Sequence, residues 1–274
     1  MPTVLPFDEE NWLQTIDALV VKWSEVTTPI FIDKQAESGK RAGEAFPLGT
    51  GFFISYRGMT FLVTAAHVIK GMDPATQFGG HTMGRAFLLG GVPFIFCHEH
   101  DLAIAPLLPD WQEKAGLKSL KVISLDSIDS TYEALGQWIT MGYPKSKNGI
   151  NPKLSKHAIN VHGTSFTECI ESPLAAAHIA NPLGFRFDKK SAVNSLRQRD
   201  NPPSFKGASG SPIFQVFAKV LPGGGISLQC RLEGVLLGWY IKEKEIIAGR
   251  VEGLMLLLDE FLHHLEEVCL EGDE

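Results

Sequence analysis

The stretch Phe205-Lys206-Gly207-Ala208-Ser209-Gly210-Ser211-Pro212-Ile213-Phe214 decides how the rest of the chain is read, because it sets one serine between glycines just before an apolar, strand-like run. Ser209 is the candidate nucleophile. A serine hydroxyl is weakly nucleophilic alone, so a reactive one needs a neighbouring base, a group that orients the base, and backbone N–H donors for a developing oxyanion. Gly207 and Gly210 suit a tight turn that exposes the serine, and the amides of Gly207 and Ser209 would then converge on one point. The same letters also describe an ordinary Gly/Ser turn between two strands. The partners of Ser209 have to decide.

Working outward, the chain reads as strands from Leu48: Gly49–Tyr56, a turn at Arg57-Gly58, then Met59–Thr64, together a hairpin. It runs into Ala65-Ala66-His67-Val68-Ile69, where small residues would let an imidazole sit close to a neighbouring backbone. A lone histidine after a strand is usually structural, so His67 too needs partners. Strands around Ala86–Leu89 and Pro93–Cys97 lead to His98-Glu99-His100-Asp101-Leu102-Ala103-Ile104-Ala105-Pro106-Leu107. An aspartate heading so apolar a segment has its carboxylate partly buried, and a buried carboxylate needs hydrogen-bond donors. An imidazole N–H would be one; simple capping of a strand end is the plain alternative. His98 and His100 stand at i, i+2 without an apparent third ligand, so the sequence asks for no metal and no cofactor.

Thr64-Ala65-Ala66-His67, Asp101-Leu102-Ala103-Ile104 and Gly207-Ala208-Ser209-Gly210-Ser211-Pro212 resemble the three signatures of the chymotrypsin-fold (trypsin-like) serine proteases, in that family's order of His, Asp and Ser. The resemblance spans about residues 46–258 and is similar in flavour to the bacterial branch, the HtrA-type and glutamyl endopeptidases, although no PDZ-like domain follows. It implies a mostly β fold of two six-stranded antiparallel β-barrels with an N-terminal and a C-terminal helix. Residues 1–45 would be a helix and loop extension, 46–108 the first barrel with His67 and Asp101, 109–131 a linker, 132–255 the second barrel with Ser209, and 256–274 the C-terminal helix and tail. It implies a Ser-His-Asp endopeptidase working through an acyl-enzyme, with the Gly207 and Ser209 amides as oxyanion hole. Trp138–Pro144 resembles the family's strand and turn carrying Gly-Tyr-Pro, and the substrate pocket would be bordered by Pro203, Leu237, Trp239 and Gly253. None of these is acidic, so an apolar or small substrate side chain is expected, with Trp239 narrowing the entrance.

One departure from that family bears on control. Ala208 stands where the zymogens have an aspartate that receives a new N-terminal ammonium, and alanine forms no such ion pair. Activation by N-terminal clipping is therefore not expected. The oxyanion hole would be preformed, or assembled by a partner or substrate.

Composition sets the outer bounds. With 274 residues, 44% hydrophobic and 20% charged, the chain is an ordinary globular protein large enough for one domain with two cores or for two small domains. A net charge of -6 argues against a general nucleic-acid binder. Residues 145–206 depart from it, with ten Lys/Arg against four Asp/Glu, or +6, which suits either a solvated loop or a surface for an acidic partner. Met1–Glu10 has no basic start followed by an apolar core, so no secretory signal is read and a cytoplasmic site is expected. The longest apolar run, Leu254 to Leu258, is far too short to span a membrane. Cys97, Cys169, Cys230 and Cys269 are scattered without a C-x-x-C pair and read as free, buried thiols.

The remaining expectations concern the flanks and the second half. Residues 8–26 carry Leu13, Ile16, Leu19, Val20 and Trp23 at helical spacing, for a helix packed on the body or an arm docking on a partner; 35–44 read as a loop. Strands are expected near Ala158–Gly163, Phe166–Ile170, Pro212–Lys219, Ile226–Leu232 and Glu233–Tyr240, a short helix over Ser191–Arg199, and an amphipathic helix over 254–269 with His263 and His264 on its solvated face. An intracellular endopeptidase would need restraint. The expected partners are thus a peptide or protein substrate and a regulatory protein, with no nucleic acid and no membrane, as in an effector of a bacterial defence or signalling system. The alternative is an inactive binding module that keeps the barrels.

Overall fold

The computed structural model describes residues 3–5, 12–33, 45–70, 78–82, 85–125, 132–146, 148–151, 156–166, 168–171, 179–191, 205–222 and 225–271. In chain order its strands are β1 (Thr3–Leu5), β2 (Thr27–Asp33), β3 (Ala45–Tyr56), β4 (Met59–Ala65), β5 (Phe78–Thr82), β6 (Arg85–Leu88), β7 (Ile95–Cys97), β8 (Leu102–Pro106), β9 (Ile123–Ser124), β10 (Glu133–Gly142), β11 (Gly149–Asn151), β12 (Lys156–Ala158), β13 (His162–Phe166), β14 (Cys169–Ile170), β15 (Leu183–Arg186), β16 (Pro212–Val220), β17 (Ile226–Tyr240) and β18 (Glu245–Arg250). The helices are α1 (Trp12–Ser24), α2 (Ala66–Ile69), α3 (Pro109–Lys114) and α4 (Val251–Glu271).

The hairpin β3–β4 shows how sequence fixes register. Arg57 and Gly58 both have positive φ, 45° and 79°, the conformation a two-residue turn needs to match strand twist, and Tyr56 then faces Met59. From that register Phe52, Ile54, Phe61 and Val63 enter one core and Phe53 and Leu62 another. Strand β3 is thus apolar on both faces because both are covered.

The strands form two sheets. One runs β6-β5-β2-β3-β4-β8-β7, with β9, β11 and β12 paired at its margins; the other runs β13-β10-β16-β17-β18-β15-β14, with β1 beside β17. The fold is mostly β, and every pairing is antiparallel among the described residues except β3 with β9. Each path passes through seven strands rather than six. In the first sheet β2 accounts for the difference: Thr27–Asp33, expected within a helix and loop extension, pairs along β3 from Phe52 to Ala45. Its β-branched and aromatic residues favour a strand, and Pro29 is accommodated within it. Strand β18 was likewise not anticipated, and the two strands read over 226–240 are one continuous β17.

Three apolar clusters result. Phe53, Leu62, Phe87, Leu89, Ala105 and Leu107 fill one side of the first sheet, and Phe166, Phe185, Phe187, Phe205, Leu236 and Ile246 one side of the second. The largest cluster joins both sheets and both terminal helices. Helix α1 packs on the second sheet, where Trp23 stacks on Phe214 at 4.8 Å between ring centroids. Helix α4 continues from β18 of the second sheet yet packs on the first, with Phe261 edge-on to Phe61 and the Tyr56 hydroxyl donating to Asp259 Oδ1 at 2.9 Å. The terminal helices therefore clamp the sheets together. Within the expected linker, α3 forms with Pro109 in its first turn, where the missing N–H costs nothing. Of the helix expected over Ser191–Arg199, only Ser191 is described, closing a 3-10 turn from Lys189. Cys97, Cys169 and Cys230 are free, as expected, but Cys169 is exposed and Cys97 and Cys230 are only partly buried.

Candidate active site

His67 sits in α2, the single helical turn that follows β4 directly. The turn is held from outside its own sequence: Asp101 C=O accepts from the Ala66 amide at 2.8 Å and Asp101 Oδ1 from the His67 amide at 3.0 Å. The second carboxylate oxygen, Oδ2, lies 2.6 Å from His67 Nδ1. A carboxylate only accepts, so Nδ1 carries a hydrogen, and in the neutral ring Nε2 keeps its lone pair. Rather than capping the end of a strand, the carboxylate accepts from an amide of α2 and contacts the imidazole with its other oxygen. To do this Asp101 adopts φ 51°, a left-handed conformation that aspartate tolerates better than most residues.

The serine turn is built differently. Gly207 and Gly210 have φ 92° and 88°, which a side chain would strain. A Cβ on Gly210 would lie 2.0 Å from Thr50 O and 2.3 Å from Thr64 Oγ1, so the turn docks on the first sheet through that glycine. Thr50 completes the joint. Its amide donates to Ser209 C=O at 2.8 Å, and its Oγ1 donates to Gly207 C=O at 3.2 Å while accepting from the Tyr143 amide at 3.0 Å. Of the two serines in the motif, Ser211 is fully buried and donates to Ala208 C=O at 2.6 Å, whereas Ser209 is half-buried. Ser211 thus belongs to the turn's architecture, and Ser209 is the more accessible of the two hydroxyls.

The two half-sites meet at Gly49. A Cβ there would lie 2.6 Å from both Val68 Cγ atoms and 2.9 Å from Ser209 O, so the turn bearing His67 and the turn bearing Ser209 flank one glycine. The Ser209 hydroxyl itself donates to Leu237 C=O at 3.0 Å, and no His67–Ser209 hydrogen bond exists among the described residues. The Lys206 carbonyl accepts from the Lys145 amide at 2.7 Å. Because the intervening peptide is trans, that bond points the Gly207 N–H away from Lys145.

The pocket residues separate. Leu237 lines the site with its carbonyl while its side chain is buried in the core shared by the sheets. Trp239 stands beside it in the ring cluster of the second sheet. Pro203 lies outside the described residues. Gly253 serves packing: it lies in the first turn of α4, and a Cβ on it would be 2.6 Å from the His100 ring. His100, which stands at i, i+2 from His98, has Nδ1 3.2 Å from Ala180 C=O. Thr50, Lys145 and the Leu237 carbonyl were not singled out in the sequence, since each acts through a backbone atom or one hydroxyl.

No family model matches the chain, and no curated protein does. Among solved structures it is similar to the MamO protease domain from Magnetospirillum magneticum, at 14% identity and TM-score 0.45 over 85% of this chain and 95% of that one. It is also similar to the serine protease domain of the Sesbania mosaic virus polyprotein, at 14% identity and TM-score 0.43 over 81% and 88%. A third is the tobacco vein mottling virus protease, at 8% identity and TM-score 0.43 over 90% and 82%. Likeness at this level says nothing of individual residues, and the site has to be judged on its own geometry.

Proposed function

We propose that the protein is a serine endopeptidase, with Ser209 as nucleophile, His67 as general base and acid, and Asp101 as the group that fixes the imidazole. The observation that carries this reading is the double hold of Asp101 on His67, one carboxylate oxygen on the ring at 2.6 Å and the other on the amide at 3.0 Å. It leaves Nε2 as the free base of the neutral ring, in a turn that shares Gly49 with the serine turn through Val68 and Ser209. In the reaction Ser209 Oγ exchanges Leu237 C=O for Nε2 and gives up its proton as its oxygen bonds to the scissile carbonyl carbon. The carbonyl electron pair moves onto oxygen, where the Gly207 and Ser209 amides receive it. His67 then protonates the leaving amine as the C–N bond breaks, and water repeats the sequence to release the acid.

Control is part of the proposal. Ala208 is buried among Phe205 and its neighbours and offers no carboxylate to an N-terminal ammonium, which favours regulation by a protein partner or by the substrate over clipping. We assign the chain to the bacterial branch on its Asp-Leu-Ala and Gly-x-Ser-Gly-Ser-Pro motifs, and its role to a restrained effector in a defence or signalling system. The competing reading, a binding module without turnover, draws on the bond from Ser209 Oγ to Leu237 C=O, which occupies the hydroxyl. A fluorophosphonate probe separates them. The wild type should label at Ser209, and Ser209→Ala and His67→Ala should lose on the order of 10⁴-fold in rate or more. Hydrolysis by Ser209→Ala at the wild-type rate would end the proposal.

A further inference from the structure

Asp101 holds His67, but that pair stands on the first sheet and Ser209 on the second, so a further contact has to set one against the other. The loop that leads into Asp101 makes such a contact. A Cβ on Gly249 of β18 would lie 3.0 Å from His100 O, and one on Gly253 of α4 would lie 2.6–3.0 Å from Cγ, Nδ1 and Cδ2 of the His100 ring. Two glycines therefore make room for one residue, much as Gly210 admits Thr50 at the serine turn. Ala180, three residues before β15, adds a third hold. Its amide donates to Glu99 C=O at 3.0 Å, and its carbonyl lies 3.2 Å from His100 Nδ1. A carbonyl only accepts, so Nδ1 carries the hydrogen.

The backbone on both sides of this contact is unusual. Asp101 has φ 51° and Asn181 φ 44°, and each is next in sequence to one partner of the His100–Ala180 bond. Aspartate and asparagine tolerate the left-handed region better than most residues, yet it persists only where the surroundings over-determine it. From within, the turn is closed weakly, since the Asp101 amide lies 3.4 Å from His98 C=O. The contacts of His100 with Ala180, Gly249 and Gly253 hold it from outside. They also lead to the nucleophile: Gly249 pairs with Val235 on β17, and two residues further along that strand the Leu237 carbonyl accepts from Ser209 Oγ.

Resting on the proposed endopeptidase activity, we infer that His100 is a positioning residue: it seats the Asp101 turn on β18, α4 and Ala180, and so sets where His67 stands relative to Ser209. It touches neither substrate nor the reacting atoms and acts through Asp101. The bonds between Asp101 and His67 keep the pair intact when this seat is loosened, so what changes is the approach of Nε2 to Ser209 Oγ. A misplacement of about 1 Å between reacting groups can cost about 100-fold in rate. That loss falls on the chemical step and leaves ground-state binding as it was.

The test is the rate of fluorophosphonate labelling of the full chain against probe concentration, which separates the limiting rate kinact from the half-saturating concentration KI, with a thermal melt of each protein. His100→Phe keeps a ring beside Gly253 but loses the donor to Ala180. It should lower kinact by about 10- to 100-fold with KI unchanged. His100→Asn places an amide donor where Nδ1 stands and should recover most of that loss, which a role in packing alone would not produce. Gly253→Ala leaves His100 in the chain and favours the helix, but its methyl displaces the ring, so kinact should fall with KI unchanged here too. Wild-type kinact in a folded His100→Phe protein overturns the inference, as does an equal loss in the Phe and Asn variants. Should His100→Phe not fold, Gly253→Ala decides, and wild-type kinact there overturns it. Each of these results leaves the endopeptidase standing, whereas a wild type that neither labels nor cuts peptides overturns both.

Discussion

The two halves of the site differ in what holds them. His67 and Asp101 are fixed by bonds between themselves, the ring to Oδ2, the His67 amide to Oδ1 and the Ala66 amide to the Asp101 carbonyl, all within the first sheet. Ser209 belongs to a turn of the second sheet that Leu236 and Leu237 of β17 and Lys145 hold from its own side, and that Thr50 ties across to the first sheet. The proposed base is a self-contained unit; the proposed nucleophile sits at a joint between the sheets. Chemistry across a sheet boundary therefore depends on how well that joint is kept, and on release of the Ser209 hydroxyl from Leu237.

Breaking the self-contained half should have the larger effect. Asp101→Asn keeps the volume but puts an amide where an acceptor is needed. Asparagine has one acceptor for the two donors: with its oxygen on the His67 amide its NH2 faces the ring and favours the other tautomer, and with its oxygen on the ring its NH2 faces the His67 amide. Turnover should fall by about 10⁴-fold with the protein still folded, as expected when only the tautomer is lost. A variant that keeps its thermal midpoint and its activity would show that Asp101 only caps α2.

The joint is tested at Thr50. Thr50→Val has the same shape but leaves the Tyr143 amide and the Gly207 carbonyl, both buried, without this partner. Orphaning buried groups should lower unfolding free energy by about 1–3 kcal/mol. Displacing the serine turn should also slow labelling of Ser209 by about tenfold, the equivalent of about 1.4 kcal/mol. A loss of stability with no change in labelling would separate the joint's structural role from any role in placing the nucleophile.

The difference between the halves also explains what could be read from the chain. As candidates, His67, Asp101 and Ser209 were legible because the proposed chemistry needs particular side chains set among small neighbours and apolar strands, and those are consecutive letters. Thr50 was hidden, since it works through one amide and one hydroxyl of a strand residue that reads as any threonine. The edge-to-face packing of Phe187, Phe205 and Trp239 was hidden for another reason: they are far apart in sequence and Phe187 reaches Trp239 only because β15 and β17 both pair with β18. Gly253 shows the limit of glycine as a signal. Its letter says that something comes close, and what comes close is the His100 ring instead of a substrate. Strand β2 escaped because a short apolar run beside a polar loop is ambiguous until its partner strand is known.

A second carboxylate gives the mildest test of the comparison. Asp101 uses both oxygens, whereas Glu245 on β18 is 5% exposed and its Oε1 has no partner among the described residues. Burial, and then the neighbouring Glu243 charge, push its carboxyl above the ordinary glutamate value of 4.5. A raised folded-state pKa means that the folded protein holds this proton more tightly than the unfolded chain. Glu245 therefore favours folding most below pH 4.5, and that contribution is lost as the pH rises through the folded-state value. Glu245→Gln removes the titration while keeping the shape. At pH 7 it should raise unfolding free energy by about 1 kcal/mol, or about 2–4 °C in Tm. Melting both proteins across pH 4 to 8 should show the gain shrinking toward acid pH, while Asp101→Asn shows no such gain at pH 7. A Glu245→Gln protein less stable than wild type at pH 7 would mean that the buried carboxylate is held as firmly as the one beside His67.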